Sequence, residues 1–458
     1  MTPELATYSI AGLGVVASTF AYQRAYRLEA GAPRLMHSRP VYHASYVLLC
    51  VVLPAIFVVL LGLFAKELFS DWMVVSGLPD SYLEGRNQAL VTARLHAIAG
   101  GEFKVADVLP IEQEAAAALI RNAGRFDLAT ALLAFLTACV FGWASYSQTS
   151  RAFRARNHTE RISLWLLCAC SAVAILTTLG IVFTLVFDAA RFFMMVSPID
   201  FFFGMDWRPI MAIREDQSSG GGAFGIIPVL SGSLLIAAFA MAVAAPVGLL
   251  SAIYMVEFAR PSVRSVAKPA IEVLAGIPTV VYGFFAVTMV APYVRDFGEW
   301  LGVPSSSESA LAAGAVMGIM VIPFVSSLSD DVINAVPGRL REAAYSLGAT
   351  KGETILKVVL PAALPGLLSA MVLAMSRAIG ETMIVVMAAG LAANMTLNPF
   401  EAVTTITVQI TTVLTGDQPF DSPMTLSAFA LALTLFILTL ALNLFALKVM
   451  QKYREKYE

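Results

Sequence analysis

The sequence predicts an all-α fold, a polytopic helical membrane protein with about nine transmembrane helices. Three observations carry that reading. Of the 458 residues, 58% are hydrophobic and only 14% charged, whereas soluble domains run at roughly 45–50% and 25%. The apolar residues gather in blocks of about 17–27, long enough to cross about 30 Å of hydrocarbon. The basic residues fall in alternate loops between those blocks, as the positive-inside rule requires. The net charge of −2 gives no reason to expect a nucleic-acid partner.

The spans are expected at roughly 5–22, 44–65, 128–147, 162–187, 227–256, 270–292, 310–327, 366–392 and 426–448. No Lys or Arg precedes the first block, whereas Arg24, Arg27, Arg34 and Arg39 follow it. A signal peptide has the reverse order, so this block reads as a retained anchor with its N-terminus outside. Loops 23–43, 148–161, 257–269 and 328–365 and the tail after Lys448 are basic and expected in the cytoplasm. Outside would lie 66–127, 188–226, 293–309 and 393–425. The first of these reads as two or three amphipathic helices broken at Gly100-Gly101. It contains no nucleophile constellation, and packing against the membrane region is its expected role.

Other motifs exclude chemistry. SSGGGAFG (218–225) and GATKGET (348–354) lack the GxxxxGK[ST] pattern, so no nucleotide site is expected on this chain. Cys168 and Cys170 would point about 200° apart on a helix, a poor chelate. All four cysteines (50, 139, 168, 170) read as small buried hydrophobes. His37, His43, His96 and His158 are expected in loops, with no HExxH or paired spacing, so no metal site is expected.

The most specific stretch is EAAYSLGATKGETILKVVLP, 342–361. Gly348 can take the left-handed conformation that ends one helix. Thr350 and Glu353 form a T-x-x-E capping box that starts the next. Ile355, Val358 and Val359 give this second helix an apolar stripe, and Pro361 is expected to help stop it. An interfacial helix pair is the plainer reading. The spacing of Glu342-Ala343-Ala344, Gly348 and Val358-x-Leu360-Pro361 resembles the EAA loop of ABC-importer permeases.

IEVLAGIPTVVYGFFAV (271–287) and RAIGETMIVV (377–386) are similar to the PstC permeases of phosphate-specific (Pst) importers. The resemblance covers about 162–450, six of the nine spans. It implies a MetI-like six-helix permease core within 151–458, coupled through 328–365. Residues 1–150 would be an additional N-terminal membrane region with three spans. The resemblance further implies a docking surface for the ATPase at Glu342, Ala343, Ala344, Gly348, Leu360 and Pro361. The implied partners are a PstA-like second permease, a PstB-like ATPase dimer that binds ATP and Mg, and a PstS-like periplasmic phosphate receptor. The chain itself would carry no cofactor and no enzyme activity. It would sit in a bacterial inner membrane, with a periplasmic N-terminus and a cytoplasmic C-terminus.

Two charges lie inside an apolar block, in MSRAIGETMIVV (375–386). On a continuous helix Arg377 is about 18 Å from either surface, too deep to snorkel. Glu381 would lie one turn away on the same face. A structural ion pair is one reading, although buried pairs often fail to recover their desolvation cost. The other is a translocation site in which the guanidinium matches an oxyanion bidentately and the carboxylate limits its affinity. Thr382, Glu272, Thr279 and Tyr282 are further candidates for the pathway. Asp330 and Asp331 read as solvated. Phosphate is the expected cargo. The rivals are another oxyanion (sulfate, molybdate or phosphonate), a carrier or channel without ATP, and a phosphate-sensing scaffold.

Overall fold

In a computed structural model the chain is helical almost throughout. The structure describes residues 3–30, 36–79, 82, 88–101, 108–209, 222–416 and 419–454. It divides into two compact units, Met1–Leu176 and Thr177–Glu458.

The first unit contains α1 (Pro3–Ala30), α2 (Pro40–Val75), α3 (Gln88–Ala99), α4 (Pro110–Ser147) and the first half of α5 (Ala155–Met195). Proline opens α2 and α4, where its missing N–H has no helical partner to lose. Ile10, Ala21, Val47, Val51, Ala55, Ala134 and Ala138 form the buried seam of α1, α2 and α4. Small residues there let the backbones approach closely. Part of the expected soluble segment 66–127 is the continuation of α2 and α4, with α3 between them in sequence. Val74, Leu78, Val91, Leu95 and Leu119 close that end. Buried Glu112 accepts a 2.5 Å hydrogen bond from the Tyr82 hydroxyl and pairs with Arg94 Nε at 3.0 Å. Gly101, at φ +80°, ends α3 at the expected glycine break. Residues 80–81, 83–87 and 102–107 of that stretch lie outside the described residues.

Among the described residues, eight helices are long and apolar enough to cross a membrane. The expected span 5–22 is helical within α1 but is not one of the eight. Arg24, Arg27 and Glu29 close it. Two further expectations change. His43, His96 and His158 are helical, because α2, α3 and α5 run further than their apolar blocks. Cys139, Cys168 and Cys170 are exposed on the chain's apolar outer faces and Cys50 is half-buried. No cluster of metal-ligating side chains occurs among the described residues.

The second unit continues α5 into α6 (Pro198–Phe203) and a two-residue hairpin, β1 (Trp207–Arg208) and β2 (Ala223–Phe224). Trp207 faces Phe224 and Arg208 faces Ala223, antiparallel. A side chain on Gly225 would collide with the Gly204 backbone, so this end of the glycine-rich stretch is a tight contact rather than a loose turn. Residues 218–221 lie outside the described residues. Then come α7 (Ile227–Ile253), α8 (Pro261–Ala275), α9 (Thr279–Phe285), α10 (Ala291–Trp300) and α11 (Ala310–Asn334). They are followed by α12 (Gly338–Ser346), α13 (Lys351–Thr354), α14 (Leu360–Ile379), α15 (Met383–Ala388), α16 (Ile406–Leu414) and α17 (Pro423–Arg454). Single π turns end α7 (Tyr254–Phe258), join α9 to α10 (Ala286–Val290) and join α13 to α14 (Ile355–Val359). The core of α7, α9, α11, α14 and α15 buries Ile236, Ala240, Ala244, Val316, Met317, Val321, Ala374 and Ile384.

Glycines set the closest approaches. A Cβ on Gly232 of α7 would collide with the Thr404 carbonyl oxygen, a backbone atom that cannot swing away, whereas Gly180 of α5 has open space. Gly232→Ala is expected to cost about 2 kcal/mol or more through overpacking. Gly180→Ala should stabilise its helix by about 0.5–1 kcal/mol. Thermal unfolding in detergent should lower the midpoint for the first and hold or raise it for the second.

Candidate functional site

α14 ends at Ile379, and the chain turns through Gly380, Glu381 and Thr382 before α15. The expected continuous span 366–392 is therefore broken. The break leaves backbone groups that need partners inside the protein. The Gly380 and Glu381 amides donate to Ser376 and Ala378 carbonyls at 3.3 and 3.2 Å. The Glu381 carboxylate accepts from the Met383 amide at 3.2 Å, and the Thr407 hydroxyl donates to the Glu381 carbonyl at 2.9 Å. Glu381 thus caps the new helix instead of stacking on Arg377. No Arg377–Glu381 ion pair occurs among the described residues, because an i,i+4 pair needs the helix to continue.

Arg377 lies in the last turn of α14, where a cation complements the helix dipole. It is exposed on the chain, and its guanidinium carbon sits 5.5 Å from the ring centroid of Phe324. Phe324 is near the middle of α11 (Ala310–Asn334). Arg377 therefore lies level with the centre of a spanning helix, although it stands near one end of its own. Thr382 and Glu381 are half-buried beside it in sequence.

Of the other pathway candidates, Tyr282 packs in one core with Ala378, Ile379 and Ile384, whereas Glu272 lies apart on α8. The expected span 270–292 is broken at Gly276-Ile277-Pro278, since a residue before proline avoids the helical region. Its membrane-crossing part is Thr279–Trp300. Glu272 is exposed on α8, an amphipathic helix outside that span. Thr279 opens α9 half-buried. Tyr282 is buried and its hydroxyl donates to the Leu274 carbonyl at 2.9 Å, capping the end of α8.

Asp330 is not solvated. It is 1% exposed and pairs with Arg264 at 2.9 Å and Lys268 at 2.8 Å. The Asp330 hydrogen bond raises the Lys268 pKa above the usual lysine value. The signal was the four-residue spacing of Arg264 and Lys268, which puts both on one face of α8. Asp331 is exposed, as expected.

The 342–361 segment forms the anticipated elbow. Gly348 is left-handed at φ +82°. The Thr350 hydroxyl accepts from the Glu353 amide at 3.4 Å while the Glu353 carboxylate accepts from the Thr350 amide at 3.0 Å. Glu342, Ala343 and Gly348 are exposed, whereas Ala344 is buried and Leu360 half-buried. Two details differ. Ile355 and Val359 face inward, Val359 against Ala252, Ile333 and Leu367, so the outward apolar groups are Leu347 (89% exposed), Leu356 and Tyr345. Pro361 is exposed and does not stop the helix. The π turn before it shifts the hydrogen-bond register, and the run continues from Lys351 to Ile379. Arg341 anchors the elbow, pairing with Glu257 at 3.1 Å and donating to the Val336 and Ile333 carbonyls at 2.7 and 2.9 Å.

Comparison with known proteins places this geometry. Residues 244–455 match the family described as "Binding-protein-dependent transport system inner membrane component". Residues 8–177 match the family described as "Phosphate ATP-binding cassette transporter". A probable ABC transporter permease protein, YqgH of Bacillus subtilis, is 33% identical over 192 residues, covering 42% of this chain and 58% of that protein. A phosphate transport system permease protein PstC of Xylella fastidiosa is 33% identical over 170 residues, 34% of this chain and 49% of that one. The chain thus spans about half the length of the relatives it matches. A bacterial alginate ABC transporter structure aligns over 62% of this chain and 92% of its own at 16% identity and a TM-score of 0.41.

The fold is that of a multi-pass helical membrane protein. Its two matched segments are similar to ABC-transporter permeases, and the named relatives include PstC.

The Asp330 cluster yields a stability test. Removing one partner of a buried charge group strands the others, but both cations here are a third exposed and recover some solvation. Asp330→Ala is expected to cost about 2 kcal/mol, read as a lower thermal midpoint of the purified chain. Asp331→Ala should leave that midpoint unchanged.

Proposed function

We propose that the chain is a permease subunit of an ATP-driven importer for inorganic phosphate, with Arg377 holding the anion midway across the membrane. One observation carries this reading. A guanidinium stands exposed beside a helix break, level with the centre of α11, and has no carboxylate partner among the described residues. An unpaired arginine is costly within a bilayer, and an oxyanion of a planar-fork-compatible shape would relieve that cost only while it is bound. Glu381, held on the Met383 amide close by in sequence, keeps the local field from trapping the anion. Thr382 is the nearest hydroxyl in sequence. Glu272, Thr279 and Tyr282 act structurally around α8 and α9.

The chain hydrolyses no ATP in this reading and carries no cofactor. A partner ATPase dimer binds ATP and Mg and docks on the elbow at Glu342, Ala343 and Gly348, with Leu347 as its apolar contact. A second, PstA-like permease completes the pathway, and a PstS-like receptor delivers phosphate from outside. The basic loops then face the cytoplasm, with the N-terminus outside and the C-terminus inside. The names of the PstC relatives and the description of the N-terminal family support phosphate over other oxyanions.

Uptake of labelled phosphate by cells that depend on this chain tests the proposal. Arg377→Ala should lower uptake per chain at least about tenfold, or about 1.4 kcal/mol. Arg377→Lys should retain part of it, since an ammonium lacks the fork. Glu342→Lys should also abolish uptake while the chain stays in the membrane, an effect no ATP-independent carrier would show. Normal uptake by Arg377→Ala would sink the pathway assignment, and strong competition by sulfate would reassign the cargo.

A further inference from the structure

The stretch between α15 and α16 is irregular backbone whose last residues are buried, and its polar side chains form ordered links. Val403, Thr404 and Thr405 are buried, as are Thr407 and Gln409 of α16. Trp207 of the β-hairpin donates its indole N–H to Gln409 Oε1 at 2.8 Å. An indole can only donate, so this bond fixes which end of the amide is oxygen. Gln409 Nε2 then donates to the Leu391 carbonyl at 3.1 Å and to Thr404 Oγ1 at 3.0 Å.

Two residues away, the hydroxyls of Thr405 and Thr407 lie 3.0 Å apart. Thr407 is committed as donor to the Glu381 carbonyl, and Thr405 accepts from the Val408 amide, so Thr405 donates to Thr407. Ser233 of α7 accepts from the Ile406 amide at 3.0 Å, fixing the start of the same helix. Every link is directional, and α16 with its N-cap carries both ends. One end holds the hairpin, and the other holds the carbonyl freed where α14 breaks.

The geometry points to Gln409 as a positioning residue that sets Glu381 and the 380–382 break through α16, in register with the Trp207 hairpin. It touches no substrate. Movement of the hairpin would be transmitted to the break because the amide has no slack, with all three of its bonds to buried or backbone groups. A hydrophobic residue of the same length would leave the indole N–H and the Leu391 carbonyl without that amide partner, and α16 would be free to shift. This role rests on the proposed pathway for its use in transport, but not for its geometry.

The test is thiol labelling of the full chain in native membranes. Serine replaces Cys50, Cys139, Cys168 and Cys170, the four native cysteines. Thr382→Cys then reports the break, and Leu347→Cys on the exposed elbow is the control. Gln409→Met should raise N-ethylmaleimide labelling at 382 about threefold and leave the control unchanged, since only local opening is altered. Trp207→Phe should give a similar rise, and the two together no further rise, because they remove one shared link. Should Gln409→Met fail to accumulate, Thr407→Val removes only the hydroxyl on the Glu381 carbonyl and should raise labelling in the same way. Unchanged labelling in Trp207→Phe and Thr407→Val, or additive rises in the double variant, would overturn the assignment. Altered labelling together with normal phosphate uptake in Arg377→Ala would keep the positioning role and remove the pathway.

Discussion

A backbone that leaves its helix inside a membrane must find every hydrogen bond within the protein. That requirement organises the Thr177–Glu458 unit. The break after Ile379 is stable because Thr407 reaches the Glu381 carbonyl and the Glu381 carboxylate turns back onto the Met383 amide. Those groups in turn depend on α16, which is fixed by Ser233, Thr405 and Gln409. Gly232 has no side chain because the Thr404 carbonyl occupies that space. With the break secured, Arg377 stands at the end of a helix and clear of Glu381. Its charge is available to something outside the chain.

The end that carries the elbow is built differently. It is held by ion pairs between helix ends, Arg264 and Lys268 on Asp330 and Arg341 on Glu257. Each joins elements distant in sequence, and Arg341 also caps α11 through the Ile333 carbonyl. The elbow at Gly348 is therefore tied to the helices that surround the break. α13, the π turn and α14 form one continuous run from Lys351 to Ile379, with the elbow at one end and Arg377 at the other. In the proposed function, that arrangement puts the pathway residue and the coupling surface at opposite ends of one helix.

Much of this was legible in the sequence. Hydropathy located most of the spans because burial in lipid demands long apolar runs, and α7, α11 and α17 begin within a few residues of their apolar blocks. The elbow was legible because left-handed glycine and the capping box are local chemistry, written in Gly348, Thr350 and Glu353. The break at 380–382 was not. An apolar run reads the same whether its helix continues or turns, so 366–392 looked like one span, and the partners that permit the turn are some 25 residues away at Thr407 and Gln409. Asp330 was misread for the same reason, since its burial depends on two cations that arrive from α8. Pro361 was misread because the π turn that accommodates it has no simple sequence signature. The first block, 5–22, formed its helix as expected.

In the proposed pathway, phosphate requires a positive charge at position 377. It can be removed and restored chemically. Arg377→Cys on the cysteine-free background should import no phosphate. Treatment with a methanethiosulfonate reagent carrying an ammonium group should restore uptake, and a neutral reagent of similar size should not. Restoration by the neutral reagent, or full uptake before any treatment, would contradict the account.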